Sequence, residues 1–299
     1  MLARPDPGRN TRARLFGDLP VAEMIRRGWL DAEDVRDVPK AEVALAKFFG
    51  VDSSSDIEIL PHAAKKTDTV DGVTPVQLAW LYRVREIARD MLAPRYSPAG
   101  ARQSVGKLSA LLSAPEEARK APRILAECGI RYVIVETLAA AKIDGVCFWL
   151  NDEAPVIGMS LRHDRIDNFW FVLRHELEHV LRSHGKSAIA IDAELEGERA
   201  GIGPGIAEEE RLANAAAADF CVPSAQLKRF IARKEPFFAE RDILGFARTI
   251  NVHPGLVAGQ LQHYTGRYER FRTHLAKIRS SVTPSAMVDG WGDVAPIGE

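Results

Sequence analysis

The sequence has no apolar run long enough to cross a membrane. A transmembrane helix needs about 20 predominantly apolar residues, and no run of even about 18 occurs among the 299 residues. The first sixteen residues carry arginine and proline where a secretory signal would have its apolar region. We therefore expect a cytoplasmic protein without a membrane partner.

Net charge is also nearly absent. The 40 Lys and Arg residues almost balance the 41 Asp and Glu residues, which leaves a formal net charge of -1. A chain of this kind has no overall field that would attract nucleic acid or acidic lipid. A local basic patch remains compatible with the composition.

Cysteine is scarce. The three cysteines, Cys128, Cys147 and Cys221, form no CxxC pair, and each lies among apolar neighbours. An odd number of cysteines cannot all be paired within one chain. We predict buried free thiols rather than a disulfide framework.

The chain does have the composition of a folded core, because 46% of its residues are hydrophobic. Helical periodicity dominates, and strand-type patterns are confined to residues 131–137, 144–150 and 155–161. We predict an α+β fold that is mostly helical. A small mixed or antiparallel sheet is expected to pack on the helix that carries the motif described next, with an all-helical N-terminal region before it.

Changes in pattern along the chain indicate a boundary near residue 120. We predict four segments: a flexible N-terminus at 1–17, a helical region at 18–120, a domain at 121–279 that contains the chemistry and ends in a helical pair, and a flexible tail at 280–299.

The segment DNFWFVLRHELEHVLRSHG, residues 167–185, carries apolar residues at helical spacing and an HExxH motif. His175 and His179 are four residues apart, so they project from one face about 6 Å apart along the axis and can reach one tetrahedral ion. Glu176 lies about 100° around the helix, which places its carboxylate beside the ion. Zinc lowers the pKa of a bound water to about 7, and Glu176 could take its proton. The motif therefore predicts a hydrolytic zinc centre.

Such a centre needs a third protein ligand and an open fourth position. The segment EEERLANAAAADFCVP at 208–223 predicts a second helix, in which Glu210 and Asn214 share a face. We predict that Glu210 binds the ion and that Asn214 supports a ligand histidine. Glu208 and Glu209 are the rival ligands, and all three glutamates also suit a first turn that the helix dipole makes favourable for negative charge.

The two motifs together resemble those of the ImmA/IrrE metallopeptidase family. The family pattern is HExxH followed by a helix with the sequence E-x-x-A-N/D-x-F-A-x-x-L-L-M-P. This chain has HELEHVL at 175–181 and E-x-x-A-N-x-x-A-A-D-F-C-V-P at 210–223. The resemblance covers residues from about 120 to about 265, and the pair of spaced motifs is more specific than HExxH alone.

The resemblance implies a zinc-dependent endopeptidase, often one that cleaves a repressor. By position it implies a zinc site formed by His175, His179 and Glu210, with Glu176 as general base and Asn214 as the residue that orients a ligand histidine. The sequence departs from the family pattern at Ala216, where Phe is usual, and at FCVP in place of LLMP. The smaller Ala216 changes core packing near the site but removes no ligand.

Histidines and a tyrosine outside the two motifs are candidates for supporting roles. His184 follows His179 by five residues, which turns it away from the ligand face and suits a partner for the helix dipole. The oxyanion formed during peptide hydrolysis needs a donor beyond zinc. The candidates for that donor are His253, His263 and Tyr264.

Two segments have alternative interpretations. The strand at 155–161 is either the sheet edge along which an extended substrate binds or an ordinary interior strand. Residues 241–266 resemble a helix-turn-helix, but the second helix offers only Gln260, Gln262 and a distal Arg267 for base contacts. We favour a structural helical pair, so direct DNA binding is left open but not favoured.

Two functions follow from these observations. The first is a zinc endopeptidase whose protein substrate is a regulator, such as a repressor-type DNA-binding protein or an antitoxin. The second is a non-catalytic transcriptional regulator or toxin-antitoxin component that acts by protein or DNA binding and has a structural or vestigial metal site. Two imidazoles and one carboxylate also suit manganese or iron, while zinc is the usual ion in a tetrahedral hydrolytic centre.

Overall fold

The computed structural model of the chain describes residues 17–53, 64–65, 73–186, 189–193 and 208–289. These residues form eleven α-helices and a six-stranded mixed sheet. The arrangement confirms the predicted α+β fold. Of the predicted flexible segments at 1–17 and 280–299, residues 1–16 and 290–299 lie outside the described residues.

The helices follow one another as α1 Val21–Arg26, α2 Val38–Phe49, α3 Pro75–Asp90, α4 Pro98–Ser109, α5 Ala121–Glu127, α6 Ile166–Leu181, α7 Glu208–Cys221, α8 Ser224–Lys234, α9 Glu240–Thr249, α10 Pro254–Thr265 and α11 Arg279–Val282. Short 3₁₀ helices occupy Pro115–Lys120, Arg272–His274 and Thr283–Ser285. The strands are β1 Ala64–Lys65, β2 Arg131–Ile134, β3 Ile143–Trp149, β4 Pro155–Met159, β5 Ile189–Ala193 and β6 Met287–Val288.

The strand order across the sheet is β1-β5-β3-β4-β2-β6. β3 pairs antiparallel with β4 and with β5, while β2 runs parallel to β4 and to β6. β4 therefore has a partner on each side. The interpretation of residues 155–161 as a substrate-binding edge strand is wrong, because both sides of β4 already have backbone partners.

Side chains alternate between the two faces of the sheet, as the period of a strand requires. Tyr132 and Ile134 of β2 join the core cluster that includes α6, whereas Val133 and Val135 join the cluster that includes α3. We call these the α6 face and the α3 face. Helices from both sides of residue 120 pack on this one sheet, and the boundary at that position stays a prediction.

The last strand extends the fold into the predicted tail. β6 pairs with β2, and the Asp289 amide donates to the carbonyl of Ile134 at 2.7 Å. The Asp289 carboxylate accepts from Arg83 Nε at 2.8 Å and from Trp29 Nε1 at 3.2 Å. Residues as far as 289 are thus fixed to the sheet and to the N-terminal helices.

None of the helices in the described residues has the length and apolar character that a membrane crossing requires. The three cysteines are buried thiols that form no disulfide, as predicted. Burial raises the pKa of Cys128 to about 11 and also raises the pKa of Cys221. These thiols lack the exposed, electropositive surroundings that make cysteine reactive.

Candidate metal centre

Helix α6 positions both histidines of the HExxH motif. It is buried almost throughout, because the sheet covers one side and α7 packs along another. His175 and His179 are 0% and 1% exposed, and their Nε2 atoms are 3.1 Å apart. The two imidazoles therefore present adjacent nitrogens to the same point in the interior.

Helix α7 brings a carboxylate to that point. Its buried residues are Glu210, Ala213, Ala217 and Cys221, a stripe at helical spacing whose small members allow close approach to α6. Glu210 Oε2 lies 3.3 Å from His175 Nε2, and Glu210 Oε1 lies 3.3 Å from His179 Nε2.

The rival glutamates do not take part in the cluster. Glu208 and Glu209 belong to the first turn of α7 and have side chains that are 62% and 59% exposed. Glu210, one residue further, is 5% exposed. Helix geometry explains the difference, because each residue turns by about 100°.

The cluster has the dimensions of a metal site. Nitrogen and oxygen ligands of zinc lie at about 2.0–2.2 Å from the ion, so tetrahedral ligand atoms are separated by about 3.3 Å. The three observed separations are 3.1, 3.3 and 3.3 Å. His175, His179 and Glu210 form a buried group that could hold a metal ion.

Each histidine also has a polar neighbour behind it. His175 Nδ1 lies 3.0 Å from Asn214 Oδ1, one turn beyond Glu210 on α7. Because the amide oxygen accepts, the proton of His175 belongs on Nδ1 and its lone pair on Nε2, which faces the cluster. Asn214 thus holds the ring in the tautomer that can bind a cation, as the spacing predicts.

Glu176 lies on the side of α6 that faces the sheet. Its side chain is 0% exposed. A Cβ on Gly145 of β3 would lie only 2.2 Å from Glu176 Oε1, so the carboxylate occupies the space that a side chain at 145 would need. Sequence reasoning missed Gly145, although a glycine within a strand often marks such a close approach.

Glu178, the other glutamate of the motif, is bound to arginines. Its carboxylate accepts from Arg174 Nη2 at 2.7 Å and from Arg182 Nε at 2.6 Å. Burial alone would raise the pKa of Glu178, but the hydrogen bonds from these two arginines outweigh it and hold the pKa below its ordinary value. Glu178 is therefore a structural ion-pair partner and a useful control for Glu176.

His184 lies closer to the cluster than its spacing predicts. Its Nδ1 is 3.0 Å from His179 Nδ1. α6 ends at Leu181, and the chain then reverses through Ser183 and Gly185, whose φ angles are 60° and 77°. The prediction that His184 turns away from the ligand face applies helical geometry beyond the end of α6, whereas this turn brings the ring back against His179.

The three candidate oxyanion donors have other partners. His253 caps α10 by accepting from the Gly255 amide at 3.0 Å. His263 contacts Tyr268, and the Tyr264 hydroxyl donates to Glu235 Oε1 at 3.1 Å. In the described part of the chain, the buried group that could hold a metal ion consists of His175, His179 and Glu210 and includes none of the three candidates.

The C-terminal helical pair is packed into the core. Six residues of α10 are buried: Gly255, Leu256, Val257, Ala258, Leu261 and Gln262. Gln262, one of the few residues suited to base contacts, instead accepts from Arg165 Nη2 at 3.2 Å and donates to the Tyr268 carbonyl at 3.2 Å. Half of α10 is therefore packed in the core, and Gln262 is already engaged in hydrogen bonds within the protein.

Comparison with known proteins adds no relative. No family model matches the chain, and no curated protein or solved structure matches it. The resemblance to the ImmA/IrrE family consequently rests on the two sequence motifs and stays a prediction. The structural finding is a buried group of two imidazoles and one carboxylate that could hold a metal ion.

Proposed function

We propose that this chain is a zinc-dependent endopeptidase that cleaves a regulatory protein. The observation that carries the proposal is the convergence of His175, His179 and Glu210 at separations of 3.1 to 3.3 Å, with a second buried carboxylate, Glu176, next to the first ligand in sequence. Zinc is the ion that best suits two imidazoles and a carboxylate in a hydrolytic centre with tetrahedral geometry.

Each residue has a defined task in this proposal. His175, His179 and Glu210 hold the ion, which when bound would polarise a peptide carbonyl and acidify water. Glu176 is rotated away from the ligand face, and in this proposal its carboxylate accepts a proton from the attacking water and returns it to the leaving amine. Gly145 leaves the space that this carboxylate occupies.

The substrate class is supported by the motifs and by the helical pair. The resemblance to ImmA/IrrE peptidases favours a repressor-type DNA-binding regulator or an antitoxin as the protein that is cut. In α10, Gln262, one of the few residues suited to base contacts, is buried. In this proposal, therefore, DNA binding belongs to the substrate protein rather than to the helical pair.

Replacement of Glu176 by Gln tests the proposal, because the amide keeps the shape but cannot accept the proton. Cells that express the wild type or Glu176→Gln are compared by mass spectrometry of newly formed protein N-termini. The cleavage products should fall by about 10²–10⁴-fold in the variant. Zinc content of the purified variant should stay equal to that of the wild type.

Glu178→Gln is the matched control, since Glu178 lies in the same motif but binds Arg174 and Arg182. It should retain cleavage. Equal cleavage by the wild type and by zinc-loaded Glu176→Gln would reject the peptidase and favour the non-catalytic regulator.

A further inference from the structure

The turn that follows α6 is held by hydrogen bonds on both sides of His184. The His184 amide donates to the His179 carbonyl at 2.8 Å, and Trp149 Nε1 donates to the His184 carbonyl at 2.8 Å. The first hydrogen bond joins the turn to α6, and the second joins it to β3. The position of the His184 backbone is thus set by two separate elements.

Gly185 completes this turn. Its φ of 77° is in the left-handed region, and a Cβ there would lie 2.7 Å from the Cys147 carbonyl oxygen. Only glycine meets both conditions without strain. The close contact with β3 holds the turn against the sheet and directs the adjacent imidazole toward His179.

The ring contact between the two histidines restricts where their protons can be. A neutral imidazole has one N–H and one lone pair, so the 3.0 Å contact between His179 Nδ1 and His184 Nδ1 joins one donor to one acceptor. His179 Nε2 faces the cluster, and a nitrogen that binds a metal must have its lone pair there. His179 therefore carries its proton on Nδ1, and this N–H group donates a hydrogen bond to His184 Nδ1.

The same reasoning fixes the state of His184. Its Nδ1 accepts, so its own proton is on Nε2. That nitrogen lies 3.9 Å from Glu209 Oε1. The His184 side chain is 17% exposed, so little solvent competes with these contacts.

We propose that His184 is a positioning residue for the metal ligand His179. Its Nδ1 accepts a hydrogen bond from the Nδ1–H group of His179 and so keeps the lone pair of His179 Nε2 directed at the ion. Asn214 does the same for His175 at the same distance of 3.0 Å. Each ligand imidazole thus donates its Nδ1–H to an acceptor outside α6: Asn214 on α7 for His175, and His184 in the turn after α6 for His179. This inference rests on the metal centre of the proposed function but does not depend on peptidase activity.

The test compares two substitutions at this position in the full-length protein. His184→Asn places an amide oxygen near the position of Nδ1, whereas His184→Leu fills similar space without an acceptor. Loss of such a supporting partner costs about 10–100-fold in metal affinity. We expect His184→Leu to bind zinc weaker by that factor and His184→Asn to bind close to the wild type, as measured by competition with a chromophoric chelator.

A second measurement reports the proton itself. In protein labelled with ¹⁵N-histidine and loaded with zinc, long-range ¹H–¹⁵N correlation should show His179 protonated at Nδ1 in the wild type and in His184→Asn. In His184→Leu this proton should exchange faster with water, because its acceptor is gone. Thermal unfolding of the metal-free proteins identifies any variant that does not fold.

Two results would overturn the inference. One is a folded His184→Leu that binds zinc as tightly as the wild type. The other is a folded His184→Asn that is as weak as His184→Leu, since rescue by an acceptor is what separates positioning from packing. His175→Ala distinguishes this failure from that of the metal centre: normal zinc binding by that variant would reject the cluster as the zinc site altogether.

Discussion

The two faces of the sheet are covered by helices of equal length that differ in how many polar residues they bury. α3 and α6 each have sixteen residues. α3 buries apolar side chains and a single polar one, Gln77, whose Nε2 donates to the Ala141 carbonyl at 3.0 Å. α6 buries seven polar residues: Asp167, Asn168, Arg174, His175, Glu176, Glu178 and His179.

The difference shows how stability and chemistry are divided in this fold. Buried polar groups cost free energy unless they are paired, and such groups gather at functional sites. Both faces have an apolar core, and the α6 face also holds the polar groups on which the proposed chemistry depends. Substitutions on the α3 face should therefore change stability, and substitutions on the α6 face should change metal binding or cleavage.

The largest expected effect is the loss of a ligand on the α6 face. Structural zinc sites bind with about 10–16 kcal/mol shared among their ligands, so His175→Ala should weaken zinc binding on the order of a thousandfold. Chelator competition measures the affinity. The exposed His263 gives the control, and His263→Ala should bind zinc normally. If the metal-free His175→Ala protein were much less stable than the metal-free wild type, the proposed division of stability and metal binding between the two faces would be contradicted.

The next effect concerns the α3 face. Trp80 is fully buried, and its Nε1 donates to the Val135 carbonyl at 2.8 Å. Trp80→Ala should lower the free energy of unfolding of the metal-free protein by about 3–5 kcal/mol, measured by urea denaturation. The folded variant should keep its zinc affinity. A zinc affinity that falls in parallel with stability would show that the two faces are coupled.

Two glycines on neighbouring strands provide a matched pair. A Cβ on Gly145 would meet the Glu176 carboxylate at 2.2 Å, while a Cβ on Gly158 would meet Val84 Cγ1 at 2.7 Å on the opposite face. Gly145→Ala should reduce cleavage by about 100-fold through displacement of Glu176, with zinc binding retained. Gly158→Ala should instead lower the free energy of unfolding by about 1–3 kcal/mol.

The pair is measured with a substrate found by the N-terminal mass spectrometry and with urea unfolding. Equal losses of cleavage in the two variants, after correction for the folded fraction, would remove the specific role of Gly145. A selective loss in Gly145→Ala would sharpen the contrast between the faces.

The smallest effect is an expected lack of reaction. The buried thiols of Cys128 and Cys221 have raised pKa values, about 11 for Cys128, and the thiolate is the reactive form. Iodoacetamide at pH 8 should leave both unlabelled in the native protein and label both in urea. Rapid native labelling at pH 8 would show that reactive groups on the α6 face extend beyond the cluster.

The sequence allowed local features to be predicted well. His175, Glu176 and His179 belong to one helix, so their relative positions follow from its period of 3.6 residues. The choice of Glu210 needed a second helix, but its face was also marked by Ala213 and Ala217 at helical spacing. In both cases the arrangement depends on backbone geometry within a single element.

Features that depend on distant segments or on turn geometry were missed or, for β4, left undecided between an edge and an interior strand. The interior place of β4 requires β2 as its neighbour, which no pattern within residues 155–161 specifies. The role of Gly145 depends on where α6 crosses β3. The position of His184 depends on the left-handed φ of Ser183, a conformation that serine seldom adopts and that sequence pattern does not reveal.

The attachment of Asp289 to Arg83 and Trp29 bears on how the protein can be divided for experiments. A recombinant fragment that begins near residue 121 would leave Val133 and Val135 without the helices that cover them. A fragment that ends near 279 would remove the strand beside β2 and uncover its backbone, inviting aggregation at the new edge. Truncation at either point would therefore destabilise the sheet that supports the candidate metal centre.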